Sequence, residues 1–327
     1  MNAQVLVDTH YHVGPVDPRL FSGFLEHLGR AVYEGVYDPG NPLSDARGFR
    51  QDVLAALQPI HMPLVRYPGG NFVSAYDWRD GVGPQASRPR RPEFAWKSIE
   101  TNQFGTDEFM AWCRLAETSP MMAVNLGTAG AREAAALLEY CNLPPGTYWS
   151  DLRKANGHVE PYGAKIWCLG NEMDGPWQAG HCRPEEYGQR ARAAAAMMKG
   201  LDPTIQTVLC GSSGRFMSSY LEWDRLCLEH CWEQVDYVSL HRYSNNNRQD
   251  SAWFLAEGVE IERVLQDYTG LLNYVRGRKL ADKRVYLSFD EWNVWYKNQS
   301  MDGQGSAAPH LLEEVYNVED AIVCMQF

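Results

Sequence analysis

Seven short apolar runs recur along the chain, each closing on polar residues or glycine: Leu20–His27, Pro63–Gly70, Met121–Gly127, Lys165–Glu172, Thr207–Ser213, Tyr237–Tyr243 and Val285–Trp292. Their nearly unbroken Val/Ile/Leu/Met character suits strands buried on both faces, as in parallel sheets. Helical patterns lie between them. Asp107–Ser119 has acidic residues in its first turn and follows Thr106, a predicted N-cap. Pro184–Gly200 opens with proline and stops at glycine, the asymmetry expected of helix ends. Arg225–Trp232 and Glu260–Val275 are further predicted helices, and Asn317–Phe327 reads as the start of another. Strand–helix alternation through the chain predicts an α/β fold, and the number of strands favours a TIM (β/α)8 barrel over an open sheet. The glycine fingerprint GxGxxG, which marks the main open-sheet competitor, does not follow the first strand.

Two segments break the rhythm. Residues 3–13 alternate polar and apolar positions like a strand of an antiparallel sheet, yet precede the first barrel strand. After the seventh strand come a polar loop, Lys297–Pro309, and a helix start, with no eighth strand. The expected division is therefore an N-terminal strand over 1–15 and a (β/α) barrel over 16–327 that lacks strand eight. Without it, strands one and seven would be unpaired edges, so residues 1–327 alone are expected to be aggregation-prone and inactive.

Composition narrows the class. Hydrophobic residues make up 45% and charged residues 22%, as in a packed globular protein. The formal charge of −11 argues against nucleic-acid or anionic-membrane partners and suits a neutral substrate. No stretch approaches the ~20 apolar residues that span a bilayer, and the first twelve residues do not read as a secretory signal. The eight cysteines form no CxxC, and several sit inside apolar runs, as buried free thiols do. A reducing cytoplasm is the compartment this predicts. His181–Cys182 has no second pair at ligand spacing, so neither a metal nor another cofactor is expected.

In a TIM barrel the C-terminal strand ends face the active site. Here those ends offer Glu26 and His27, Asn71, Asn125, Asn171 and Glu172, Ser212, His241 and Tyr243, and Glu291. Glu172 closes the fourth run and Glu291 the seventh. Glycoside hydrolysis uses such a pair, and opposed positions across one barrel mouth can bring the carboxyls to the ~5–5.5 Å of a retaining mechanism. Asn171 would donate to the sugar hydroxyl beside the anomeric centre. His241 and Tyr243, two apart on one strand, share a face, which puts Tyr243 in reach of Glu291. Trp96, Trp177, Trp292 and Trp295 offer apolar faces to sugar C–H groups. Each residue has a plainer reading: Glu26–His27 as a polar rim, His241 as a satisfied core histidine, the tryptophans as core or loop anchors, and Cys227 with Cys231 as buried thiols one helical turn apart.

The motifs FLEHLGRAVY (24–33), RYPGGNFVSAYD (66–77), NQFGTDEF (102–109), LGNEMDGPWQ (169–178), SLHRY (239–243) and FDEWNVW (289–295) span nearly the whole chain. In them the sequence resembles the family 51 glycoside hydrolases, the intracellular α-L-arabinofuranosidases. The resemblance implies a retaining clan A barrel with Glu172 as general acid/base on strand four and Glu291 as nucleophile on strand seven. It implies that Glu26, Asn71, Asn171 and Tyr243 hold the arabinofuranose in the −1 subsite, and that Trp96 and Trp295 lie toward the aglycone. His241 joins them as a candidate substrate-binding residue. It further implies an arabinose-containing oligosaccharide from arabinan or arabinoxylan as substrate, no metal, and a cytoplasmic homo-oligomer, often a hexamer. Full-length relatives complete the barrel, add a β-sandwich to which the N-terminal strand belongs, and supply a further −1 subsite glutamine. The competing readings are an endoglucanase or β-xylosidase of the same clan, or a carbohydrate-binding fragment without catalysis.

Overall fold

A computed structural model of the chain describes residues 4, 6–12, 14–296, 304–311 and 315–327. Its strands are β1 (Gly23–Phe24), β2 (Leu64–Tyr67), β3 (Arg91–Pro92), β4 (Ile99–Glu100), β5 (Ser119–Val124), β6 (Ile166–Leu169), β7 (Gln206–Leu209), β8 (Tyr237–Ser244) and β9 (Tyr286–Val294). Each of the seven predicted runs overlaps one strand of the barrel. Seven strands form one parallel sheet in the order β1-β2-β5-β6-β7-β8-β9, while β3 and β4 pair as a small antiparallel ribbon in the loop after β2. Sequential strands are neighbours throughout, as a barrel wound by right-handed crossovers requires.

The helices are α1 (Gln51–Leu57), α2 (Thr106–Leu115), α3 (Ala131–Asn142), α4 (Tyr148–Ala155), α5 (Pro184–Leu201), α6 (Glu222–Cys231), α7 (Ser251–Phe254), α8 (Glu257–Lys279) and α9 (Val318–Cys324). The predicted helices at α2, α5, α6, α8 and α9 are present with shifted ends. One cap differs: Gly105, not Thr106, precedes the first turn of α2, and its N–H donates to Glu108 Oε2 at 2.9 Å. The pair α3–α4 was not predicted. Its alanine-rich start lies directly after the glycines and threonine of the β5 loop, which mask the boundary.

Side-chain alternation along the strands builds two cores. Val65, Tyr67, Met122, Val124, Trp167, Leu169, Leu209, Val238 and Leu240 point outward into the layer between strands and helices. Met121, Ala123, Ile166, Cys168 and Val208 fill the barrel interior. Because the period is two, Arg66 between Val65 and Tyr67 must point inward, and it is buried. Six of the eight cysteines are buried and all eight are free thiols, matching the sequence reading.

The described residues of the N-terminal segment, Gln4 and Leu6–His12, lie in no strand of this chain, and Leu6, Val7 and Tyr11 are exposed. Of the predicted polar loop Lys297–Pro309, residues 297–303 lie outside the described residues. Beyond them, Gly305 N–H bonds Lys97 O at 2.7 Å and Ile99 N–H bonds Ser306 O at 2.8 Å. Gly305 and Ser306 therefore lie against the β3–β4 ribbon in the loop after β2.

Close backbone approach sets one clear stability expectation. A Cβ at Gly105 would lie 1.9 Å from Gly81 O, so Gly105→Ala should lower stability by about 2 kcal/mol through overpacking. At Gly200 in α5 a Cβ meets nothing within 4 Å, and Gly200→Ala should raise stability by about 0.5 kcal/mol. Urea unfolding midpoints of the two variants check both signs.

Candidate active site

The strand ends at the C-terminal mouth deliver their side chains to one cleft of about 1440 Å³, lined by Glu26, Asn71, Trp96, Glu172, Trp177, His241, Tyr243, Glu291, Trp292 and Trp295 among others. Glu172 follows β6 through Gly170 and Asn171. Gly170 has φ +92° and Glu172 itself φ +44°, a left-handed conformation that turns the chain sharply out of the strand. The turn is held by Gly175 N–H on Glu172 O at 2.9 Å, and by Gln178 Nε2 on Asn171 O at 2.7 Å and Asn71 Oδ1 at 3.0 Å. Asp174 locks it to the next loop by accepting Ser213 N–H at 3.1 Å and the Ser213 hydroxyl. Burial pushes the Asp174 carboxyl up to about 6, with Glu172 adding to the shift.

Glu291 reaches the site by a bulge. The register runs Leu240↔Phe289 and then His241↔Glu291, leaving Asp290 as an extra residue on β9. In a regular strand Asp290 and Glu291 would face opposite sides; a bulge lets both face the interior. Asp290 sits deeper, accepting hydrogen bonds from Ser239 Oγ at 2.6 Å and Ser288 Oγ at 2.9 Å. Glu291 stands at the mouth, where it accepts from Tyr243 OH at 3.0 Å and Arg66 Nη1 at 2.9 Å.

One carboxylate oxygen of Glu172, one of Glu291 and a ring nitrogen of His241 all lie within 4.8 Å of one another. An approach this close between one oxygen of each carboxyl fits the ~5–5.5 Å carboxyl separation of retaining glycosidases. The trio also has the spacing of a metal site. Yet His241 meets carboxylates through both ring nitrogens: Nδ1 with Glu172 Oε1 at 3.0 Å, and Nε2 with Asp290 Oδ1 at 3.3 Å as an ion pair outside straight hydrogen-bond geometry. Burial alone would lower its pKa, but Glu291, Asp290 and Glu172 outweigh burial and lift it to about 10. An imidazolium offers two donors and no lone pair, so these residues fit a proton-managing role better than metal ligation.

The remaining predicted residues divide cleanly. Glu26 Oε1 accepts from Phe72 N–H at 2.9 Å and Trp96 Nε1 at 2.8 Å. A Cβ at Gly70 would lie 2.7 Å from Glu26 Oε2 and 3.2 Å from Glu291 Oε2, so glycine is needed where these two carboxyls flank the backbone. Asn171 Oδ1 accepts from Arg66 Nη2 at 2.6 Å, and its amide donates to Asn71 Oδ1 at 3.2 Å. Trp177 Nε1 donates to Glu172 Oε2 at 2.8 Å, and Trp295 packs edge-on to Tyr243 with centroids 5.2 Å apart. Trp292 lines the cleft and stacks on Phe327. His27 instead lies behind Glu26, stacked on Phe72 and paired with Glu100 Oε2 at 2.8 Å. Asn125 caps its own loop, and Ser212 is tied to Asp224; neither lines the cleft.

Sequence reasoning missed Arg66, Asp290 and Gln178 as site residues. For Arg66 a signal existed: a guanidinium inside a doubly buried strand run must find its partner in the interior. For Asp290 there was none, since the bulge is not visible in the spacing.

Paired carboxyls across the mouth of a parallel barrel, with an asparagine beside one and a tyrosine on the other, are the arrangement that glycoside hydrolysis uses. The comparisons carry this to a family. Residues 54–260 match the model described as the alpha-L-arabinofuranosidase 1 domain. The chain is 47% identical over 326 residues to an intracellular exo-alpha-(1->5)-L-arabinofuranosidase of Halalkalibacterium halodurans, covering 99% of this chain and 65% of that protein. It is 46% identical to an exo-alpha-(1->6)-L-arabinofuranosidase of Bifidobacterium longum, covering 98% of this chain and 64% of that one. A solved family 51 α-L-arabinofuranosidase from B. longum superposes with a TM-score of 0.90 at 44% identity, over 94% of this chain and 63% of its own. The arabinose complex of the Thermotoga maritima α-L-arabinofuranosidase gives 0.84 at 39% identity, over 93% and 59%. The chain belongs to the α-L-arabinofuranosidases of glycoside hydrolase family 51, as the motifs implied. It spans between 49% and 65% of the length of the curated relatives it matches.

Glu26 gives this site a stability signature. Burial first, then the charge of Glu291, push its carboxyl from 4.5 to about 8. A raised folded-state pKa means the folded state holds the proton longer, so this contribution is complete below pH 4.5 and is lost as pH rises toward 8. Glu26→Gln should therefore flatten the fall in melting temperature across that window and leave the protein relatively more stable at pH 8. An unchanged pH slope in calorimetry would show that Glu26 ionises normally.

Proposed function

We propose that this chain carries the catalytic centre of an exo-acting α-L-arabinofuranosidase that works by double displacement on arabinan or arabinoxylan oligosaccharides. The observation that carries the reading is the Glu172–Glu291 carboxyl pair within 4.8 Å at the barrel mouth, in a chain of this family. In the first step Glu172 gives its proton to the glycosidic oxygen while Glu291 attacks the anomeric carbon, and the C–O bond breaks toward the aglycone. In the second, water attacks that carbon, its proton passes to Glu172, and the ester electrons return to Glu291. Glu26, Asn71, Asn171 and Tyr243 hold the sugar, His241 adjoins both carboxyls, and Trp96 and Trp295 face the aglycone. All but Asn171 line the cleft, and Asn171 lies behind it, bonded to Arg66 and Asn71 beside Glu172.

The linkage is expected to be (1->5) or (1->6), the two named among the relatives. The reading also takes the enzyme to be a cytoplasmic homo-oligomer that uses no metal. "Intracellular" in several relatives' names supports the compartment, and among the described residues no helix is long and apolar enough to cross a membrane. Its N-terminal segment is taken to pair with a β-sandwich such as full-length members carry. Chromogenic α-L-arabinofuranosides should be cleaved far faster than β-xylosides or cellodextrins; the opposite order would favour the clan's other activities, and no cleavage a binding fragment.

Glu291→Ala should lose turnover by at least about 10³-fold and regain it with azide, which enters the vacated space and yields a glycosyl azide of inverted configuration. Strong activity without azide would remove Glu291 from the nucleophile role. Glu172→Ala should keep fast glycosylation on aryl substrates with good leaving groups and accumulate the covalent intermediate, while failing on natural aglycones. Equal slowing of glycosylation on every aglycone would contradict an acid/base assignment.

A further inference from the structure

The side chain of Asp290 is buried beside the two candidate catalytic glutamates and belongs to neither proton transfer. Its carboxylate has four polar neighbours: the hydroxyls of Ser239 and Ser288, the His241 ring at 3.3 Å and the charge of Arg66. Burial would raise its pKa, but Arg66 and His241 outweigh burial and hold Asp290 ionised, below the usual carboxylate value. Above it, His241 Nδ1 lies 3.0 Å from Glu172 Oε1 and 3.6 Å from Glu291 Oε1.

The double displacement moves a negative charge. Before glycosylation it rests on Glu291; once Glu291 is an ester and Glu172 has given up its proton, it rests on Glu172. His241 Nδ1 faces both positions. A cation fixed between them can neutralise the charge before and after the step with no rearrangement, which is how preorganised electrostatics lower a barrier. That service needs an imidazole protonated on both nitrogens throughout the working pH range.

We propose that Asp290 is a positioning residue that keeps His241 doubly protonated with Nδ1–H aimed between Glu172 and Glu291, making the Asp290–His241 pair a fixed counter-ion for the charge that migrates between them. The β9 bulge is what makes this possible, since it turns two consecutive acidic side chains inward at different depths. The other charged or titratable groups that interact with this pair or with the two glutamates above it include Arg66 on β2, Cys168 on β6, Cys210 after β7, Glu26 after β1, Asp174 on the Glu172 loop and Tyr243 on β8. Arg66 is already committed to Glu291 and Asn171, and Tyr243 to Glu291. No second carboxylate is therefore placed against Nε2 to replace Asp290 among the described residues. The inference rests on the double-displacement reading, but the protonation it requires is observable without turnover.

The test is histidine-selective 15N NMR of the intact enzyme, with the His241 signal assigned from His241→Asn, combined with pH–rate profiles of wild type, Asp290→Asn, His241→Asn and the double variant on aryl arabinofuranosides. The expected result is an imidazolium signal at pH 8 in wild type and a His241 titration midpoint lower by more than about one unit in Asp290→Asn. Asp290→Asn should lose kcat by about tenfold or more, gain a new ionisation on the alkaline side, and have little further effect once His241 is Asn. A neutral His241 at pH 7 in wild type overturns the proposal, and does so even if Asp290→Asn fails to fold. So does an unaltered His241 titration in Asp290→Asn, or an Asp290→Asn loss that persists undiminished in the His241→Asn background. Wild type with a cationic His241 but no arabinofuranosidase activity would count against the functional reading and leave the Asp290–His241 assignment standing.

Discussion

A guanidinium buried in the middle of a barrel has to be answered by negative charge, and the rest of this site is arranged around that demand. Arg66 lies between two outward-facing core residues on β2, so strand alternation sends it inward with no route to water. It is met by Glu291 at 2.9 Å, Asn171 at 2.6 Å and the charge of Asp290. Removing one partner of such a pair costs about 3–5 kcal/mol because the other is left buried and uncompensated. The contacts that neutralise Arg66 are thus the same contacts that fix Glu291 and the asparagine beside Glu172.

Two backbone irregularities convert a plain barrel into that arrangement. At the end of β6 the left-handed turn at Glu172 swings its side chain over the mouth, held by the Gln178 and Asp174–Ser213 contacts. On β9 the bulge brings Asp290 and Glu291 to the same side. Neither conformation is the relaxed choice for a strand or its exit; the Glu172 turn is held by hydrogen bonds within its loop and to the next loop, and the bulge by side chains on β2, β8 and β9. The carboxyl separation that distinguishes retention from inversion depends on both.

Much of this was legible in the sequence. The seven strands announce themselves because a strand buried on both faces has few alternatives to Val, Ile, Leu and Met, and the polar residues ending each run, Glu26, Asn71, Glu172, Tyr243 and Glu291, do gather at one mouth. Spacing could not show what depends on local irregularity. Asp290 looks solvent-facing until the bulge is known, and Asn125 and Ser212 look like site residues until their own loops are seen to use them. The helix pair α3–α4 was lost because glycine-rich loop signals ran into an alanine-rich start. The Asp290, Asn125 and Ser212 misses come from tertiary or loop contacts that override the strand pattern.

The central claim is that Glu172 and Glu291 act as acid/base and nucleophile at retaining distance. The anomeric configuration of the first-formed arabinose reports on this directly. Followed by proton NMR during the earliest minutes of hydrolysis of an aryl α-L-arabinofuranoside, before mutarotation, the product should appear as the α-furanose, with configuration retained. First appearance of the β-furanose would mean a single displacement by water and would contradict the account.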